Sequence, residues 1–268
     1  MFHVERSHGY GTLRTALGVP RGTELGGGPI PPSPVRVFHV ERKSGPHPVG
    51  KHSMPVSSND PSLVHRIRVA LEQLGRPVSE RALGQLARLA ELVAEWGQRI
   101  NLSGHRTPEH VADRLILDSA SLAASLPPVE SLADLGSGAG FPGLPIAILQ
   151  PETPVVLVEA RQRRHHFQRA AIRELGVENA RAIQGRIEAV EPVVSSGVLA
   201  QAVGPAAKVA ELVYPWVAPG GFAGIPAVSD APCPALPDGY RGIETVRYQV
   251  PGGVARKLWL LHRSPGAL

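Results

Sequence analysis

The chain has 268 residues, 43% of them apolar and 4% aromatic, enough for one α/β domain with an added helical segment and a core built on Leu, Val, Ile and Ala. Its 28 Lys and Arg against 23 Asp and Glu leave a net charge of +5, compatible with a nucleic-acid partner but also what GC-rich, arginine-favouring codons would produce. One cysteine, Cys233, excludes an intramolecular disulfide and a Cys-based zinc site, and the lack of an apolar run near ~18 residues or of an N-terminal h-region predicts a cytoplasmic chain with no membrane partner.

Residues 1–60 read as a disordered Pro/Gly-rich tail. Gly26-Gly27-Gly28, Pro31, Pro32 and Pro34 lie in a stretch whose few apolar residues have no period. Such a segment cannot bury enough surface to offset its ordering entropy. It contains one repeat: Phe2-His3-Val4-Glu5-Arg6 recurs as Phe38-His39-Val40-Glu41-Arg42. The codons TTC-CAC-GTG-GAA for Phe-His-Val-Glu would spell a self-complementary DNA sequence resembling a bacterial chromosome-partition site. The repeat then reads as a constraint on the gene as DNA, and a start at Met54 would leave the whole tail untranslated.

Residues 61–128 read as a helical segment. Between Ser79 and Ile100, the residues Leu83, Leu86, Ala90, Val93, Trp96 and Ile100 recur at steps of three and four and share one face. Thr107-Pro108-Glu109 is a helix start, a hydroxyl cap followed by Pro and an acid in the first turn. Val111, Leu115 and Leu122 continue on one face until Pro127-Pro128 stops the helix.

From 129 to 268 the period changes. Ser131–Leu135 is a short strand ending in Gly, and Pro154–Glu159 is an apolar, β-branched run suited to a buried parallel strand. A helix is predicted over Arg163–Leu175, ended by Gly176, with further strands at Ala182–Gln184, Gly197–Val203 and Gly220–Val228 and a helix at Ala206–Tyr214. Thr245–Val250 and Lys257–His262 form an antiparallel pair through Pro251-Gly252-Gly253. Strands alternating with helices imply an α/β fold with a doubly wound, mostly parallel sheet.

The segment Asp134-Leu135-Gly136-Ser137-Gly138-Ala139-Gly140-Phe141-Pro142-Gly143 follows the first of these strands. Glycines at alternate positions let the backbone approach a ligand closely, at the carboxyl edge where open α/β sheets bind. The same letters hold Gly138-x-Gly140-x-x-Gly143, a dinucleotide fingerprint. Two features favour another cofactor. The loop begins at Gly136, and the acid at Asp134 suits a cation such as the sulfonium and ammonium of S-adenosylmethionine. Glu159, ending the second strand, is placed to accept hydrogen bonds from ribose hydroxyls. Arg161, Arg163, Arg164, His165, His166, Arg169 and Arg173 crowd the following helix, readable as a solvated face or as an RNA phosphate contact. No third ligand has metal spacing beside His165-His166, so no metal site is expected.

Gly-Ser-Gly-Ala-Gly-Phe-Pro-Gly, together with Asn101-Leu102-Ser103, Asp118-Ser119 and Gly185-Arg186-Ile187-Glu188, resembles the RsmG (GidB) family of bacterial small-subunit ribosomal RNA methyltransferases, over roughly 61–225. The resemblance implies a Rossmann-like methyltransferase fold with a seven-stranded sheet and S-adenosylmethionine as cofactor. It implies N7 of a guanine in the decoding region of 16S rRNA as acceptor, the small ribosomal subunit as partner, and a monomer. It also implies cofactor contacts at Gly136, Phe141, Ile187, Glu188 and position 201. Where the family has Ser-Arg-Ala after the fourth strand, this chain has Ala200-Gln201-Ala202, and Ile225-Pro226 replaces Lys-Gly. These departures open a second reading, a degenerate paralogue that binds cofactor or RNA with little turnover. An N7 acceptor carries a lone pair and no proton, so no general base is required, and no catalytic acid or base is assigned.

Overall fold

The structure, a computed structural model, describes residues 5–9, 60–228 and 230–266. The chain runs β1 (Glu5–Gly9), α1 (Pro61–Gln73), α2 (Glu80–Gly97), α3 (Pro108–Val111), a π-helical turn (Ala112–Ile116), α4 (Leu117–Ser125), β2 (Leu132–Leu135), α5 (Gly143–Leu149), β3 (Val155–Glu159), α6 (Gln162–Leu175), β4 (Ala180–Gln184), β5 (Ser195–Leu199), α7 (Ala206–Val213), a short 3-10 turn (Tyr214–Trp216), β6 (Val217–Val228), β7 (Tyr240–Val250) and β8 (Val254–Arg263). One sheet takes the order β1-β7-β8-β6-β5-β2-β3-β4. Strands β2 to β6 are mutually parallel, while β8 runs antiparallel to β6 and β7. This is the doubly wound, mostly parallel sheet the alternation of elements predicts.

Several strands differ from the sequence reading. The sheet has an eighth member, β1, paired antiparallel with β7 from Glu5↔Arg247 to Gly9↔Ile243. It comes from the stretch read as disordered. An edge strand needs only backbone pairing with its neighbour, so composition gives no sign of it. The second copy of the repeat and Met54 lie outside the described residues. Strand β6 begins at Val217 rather than Gly220 and β7 at Tyr240 rather than Thr245, while β5 ends at Leu199 rather than Val203, so that Ala200–Gly204 form a loop.

The period-2 alternation of the central strands divides the interior into two layers. Leu132, Val155 and Leu157 face one cluster, formed with α1, α2, α4, α5 and α6. Ala133, Leu135, Val156 and Val158 face the other, formed with α7, Trp216 and the far strands. All of β2 and β3 is buried, as expected for parallel strands covered on both faces.

The helical segment belongs to the first layer. Its predicted stripe, Leu83, Leu86, Ala90 and Val93, is buried, and the Trp96 ring meets Phe167 of α6 edge-on at 5.5 Å. Gln85 Nε2 donates to the Leu175 carbonyl at 2.7 Å. Side-chain caps set the helix starts: Asp60 accepts from the Ser62 amide at 2.8 Å, Ser79 from Ala82 at 3.2 Å and Thr107 from His110 at 3.3 Å.

Candidate cofactor site

The glycine loop leaves the carboxyl end of β2 and is held from three sides. The amides of Gly136 and Ser137 donate to the Val158 carbonyl at 2.8 and 3.1 Å, tying the loop to β3. The Ser137 carbonyl accepts from the Gly140 and Phe141 amides at 2.8 and 2.9 Å, closing the turn. From α6, Gln168 Nε2 donates to Ser137 Oγ at 2.8 Å and to the Gly138 carbonyl at 2.9 Å.

Backbone conformation explains two of the glycines. Gly136 has φ +73°, and a Cβ there would lie 2.8 Å from Val203 Cγ2. Gly138 has φ +57°, and the nearest atom to a Cβ there is Arg164 Nη1 at 3.8 Å. Val203 fills the space over Gly136, whereas over Gly138 only the end of the Arg164 side chain comes into contact.

Glu159 sits 5% exposed at the end of β3. Its Oε2 accepts from the Gly138 amide at 2.9 Å and its Oε1 from the Arg161 amide at 2.7 Å. Each oxygen keeps acceptor capacity. Asp134 lies beneath the loop, 1% exposed. Its Oδ2 accepts from the Gly143 amide at 2.8 Å, at the start of α5, while Oδ1 is buried with no hydrogen bond among the described residues. Burial, reinforced by the charge of Glu159 and opposed by the Gly143 amide, pushes the Asp134 carboxyl up to about 7. The structure thus gives Asp134 a duty the sequence did not reveal, tethering the loop to α5.

The remaining predicted residues sit on the same carboxyl edge. Ile187 is buried and Glu188 exposed, in the turn after β4 that the Gly185 amide ties to the Glu159 carbonyl at 3.1 Å. Gln201 is exposed in the loop after β5. Its neighbour Ala202 has φ +56°, the one non-glycine residue of positive φ among those described, and the next residue, Val203, lies over Gly136. Phe141 is half-buried and packs on the helical layer. Ile225 and Pro226 are interior to β6, opposite Trp259 and Leu258 of β8, so that strand continues past the point where the resemblance expects Lys-Gly.

Three participants went unpredicted. Gln168 is fully buried; its signal was a polar residue on the inner stripe of α6, between Arg164 and Ala171. Val203 was read as strand. Arg164 was grouped with its basic neighbours, yet it turns toward Gly138, and its Nε is buried with no hydrogen bond among the described residues. Arg161, Arg163, His166, Arg169 and Arg173 are exposed. His165 is buried, and burial holds its imidazole below the ordinary histidine range.

Residues 82–224 match the family model described as GidB, rRNA small subunit methyltransferase G. A relative from Chromohalobacter salexigens named ribosomal RNA small subunit methyltransferase G is 34% identical over 204 residues, 75% of this chain and 97% of that protein. A protein of the same name from Psychromonas ingrahamii is 36% identical over 131 residues, 49% of this chain and 63% of its own length. Among solved structures, a SAM-dependent methyltransferase from Aquifex aeolicus aligns with a TM-score of 0.38 at 14% identity, covering 49% of this chain and 82% of that one. A family model spanning more than half of the chain, and a relative matched over nearly its whole length, place this chain in the ribosomal RNA small subunit methyltransferase G family.

Proposed function

We propose that this protein transfers a methyl group from S-adenosylmethionine to N7 of a guanine in the decoding region of 16S rRNA, acting as a cytoplasmic monomer on the small ribosomal subunit. The observation that carries the reading is the Glu159 carboxylate bonded to the Gly138 amide, where a side chain at Gly138 would meet only the end of Arg164, in a chain of this family. The residues fit the cofactor. Glu159 has acceptor capacity left for ribose hydroxyls, Ile187 offers an apolar wall to an adenine, and Gln201 has an amide that donates to a carboxylate. Bound there, S-adenosylmethionine supplies an electrophilic methyl on a sulfonium.

The chain's own task is positional. Guanine N7 brings its lone pair without a proton to remove, so no side chain has to act as a base. The protein has to hold acceptor and methyl in line at about 3–3.5 Å and keep water out. Gln168 and Asp134 serve this from beneath by fixing the loop. Gln201 brings a hydrogen bond without the charge that the family's arginine would bring.

The test has two parts. Calorimetry should show S-adenosylmethionine binding at one site, with NAD giving no heat. Radiolabelled methyl from the cofactor should then enter small subunits lacking the modification and appear as 7-methylguanosine. Binding without transfer, on intact subunits and on naked rRNA alike, would instead establish the non-catalytic paralogue.

A further inference from the structure

A second cleft opens on the same edge of the sheet. It has a volume of about 320 Å³ and lies between α1, the π turn and the tip of the β7–β8 hairpin, lined by Arg66, Gln73, Asp113, Arg114 and Gly252 among others. Topology fixes its side. Strand β8 runs antiparallel to β6, with Arg256 opposite Val228, so the hairpin tip stands at the carboxyl end of the parallel strands, as the glycine loop does. Ile187-Glu188 and Glu159 follow β4 and β3, so a nucleoside held as proposed would lie toward that end of the strand order, and this cleft lies toward the opposite, β6-β8-β7 end.

The cleft is chemically suited to one kind of group. Arg66 Nη1 meets both oxygens of Asp113, at 3.2 and 3.0 Å, which holds its guanidinium in place while its side chain stays 51% exposed. Arg114 is exposed and makes no ion pair among the described residues, so the lining of the cleft carries two guanidinium groups against one carboxylate. The π turn that carries Asp113 and Arg114 is a local widening of the helix, a feature frequent at functional sites. Nothing lies within 4 Å of a Cβ placed on Gly252, so the hairpin tip presents bare backbone to whatever enters.

We infer that this cleft docks a backbone phosphate of the substrate RNA beside the target guanine, with Arg114 as its principal contact and Arg66 as a pre-oriented second. The inference rests on the RNA methyl-transfer reading and deepens it. Guanidinium forks suit phosphate oxygens, and a phosphate contact sets position without reading sequence.

The experiment compares full-length wild type with Arg114→Gln, Arg114→Lys and Arg66→Gln, measuring binding to transcribed 16S rRNA across a salt series, binding to small subunits, and S-adenosylmethionine affinity. Arg114→Gln should weaken RNA binding about five- to tenfold and lower the slope of log K against log salt by about one. Arg114→Lys should recover most of the loss, Arg66→Gln should show a smaller one, and cofactor affinity should not move. Unchanged RNA affinity and salt slope in Arg114→Gln would overturn the inference. So would a loss seen on subunits but absent on naked RNA, which would put an acidic ribosomal protein in the cleft. A wild type that binds RNA but transfers no methyl would defeat the proposed activity while leaving this binding comparison decisive.

Discussion

Gly136 and Gly138 stand two residues apart in one loop, both at positive φ, but their surroundings differ. Val203 occupies the space a side chain at Gly136 would need, at 2.8 Å from the Cβ position, whereas at Gly138 only Arg164 comes near, at 3.8 Å. Gly138→Val should therefore leave a folded protein, its positive φ costing about 1–2 kcal/mol and a few degrees of melting temperature, while S-adenosylmethionine binding disappears. Calorimetry alongside a thermal melt checks both, and unchanged affinity would contradict the loop assignment. Asp134 has its own pH signature. With its carboxyl raised to about 7, the folded protein keeps a proton that the unfolded chain gives up above ~4, so its contribution to stability falls as pH rises through that window. Asp134→Asn keeps an oxygen for the Gly143 amide and removes the charge. Its melting temperature relative to wild type should rise from pH 4 to pH 8, by the equivalent of on the order of 1 kcal/mol or more. Parallel curves would mean that this carboxyl does not titrate there.

Elements with a strong internal period were legible one by one. The stripe of α2, the buried runs of β2 and β3, and the Thr107 and Gly176 boundaries all stand where the sequence puts them. Readings diverged where a neighbour decides the outcome. The end of β5 depends on where β6 stops pairing with it, at Leu199↔Gly224. α6 shows both cases. Its apolar residues Phe167, Ala171 and Leu175 were periodic and are buried, but Gln168, equally buried, took meaning only once the glycine loop lay above it. Gln168→Ala removes two hydrogen bonds and opens a void, which should cost about 2–3 kcal/mol. Because those bonds end on Ser137 and Gly138, cofactor affinity should fall as well. Denaturant melts and calorimetry on one preparation test this, and a stability loss with full cofactor affinity would show that α6 supports the fold but not the loop.

At the scale of the whole molecule, β1 lies at the β7 edge, with β8, β6 and β5 between it and the glycine loop. Deleting residues 1–53 should leave S-adenosylmethionine affinity and methyl transfer unchanged and lower the melting temperature only slightly, through the newly exposed β7 edge. A fall in transfer on small subunits would give the stretch a part in substrate binding. The sequence by itself determined the α/β class, the helical addition, the position of the glycine loop and the acid at the end of β3, because these rest on local period, turn chemistry and glycine spacing, which are properties of short segments. Only the tertiary structure decided that Asp134 serves α5, that Val203 covers Gly136, that Gln168 supports the loop, and that Arg66, Arg114 and the β7–β8 tip share a cleft. All but the first join residues far apart in the chain, and a contact, hydrogen bond or charge between side chains leaves no periodic mark on either segment.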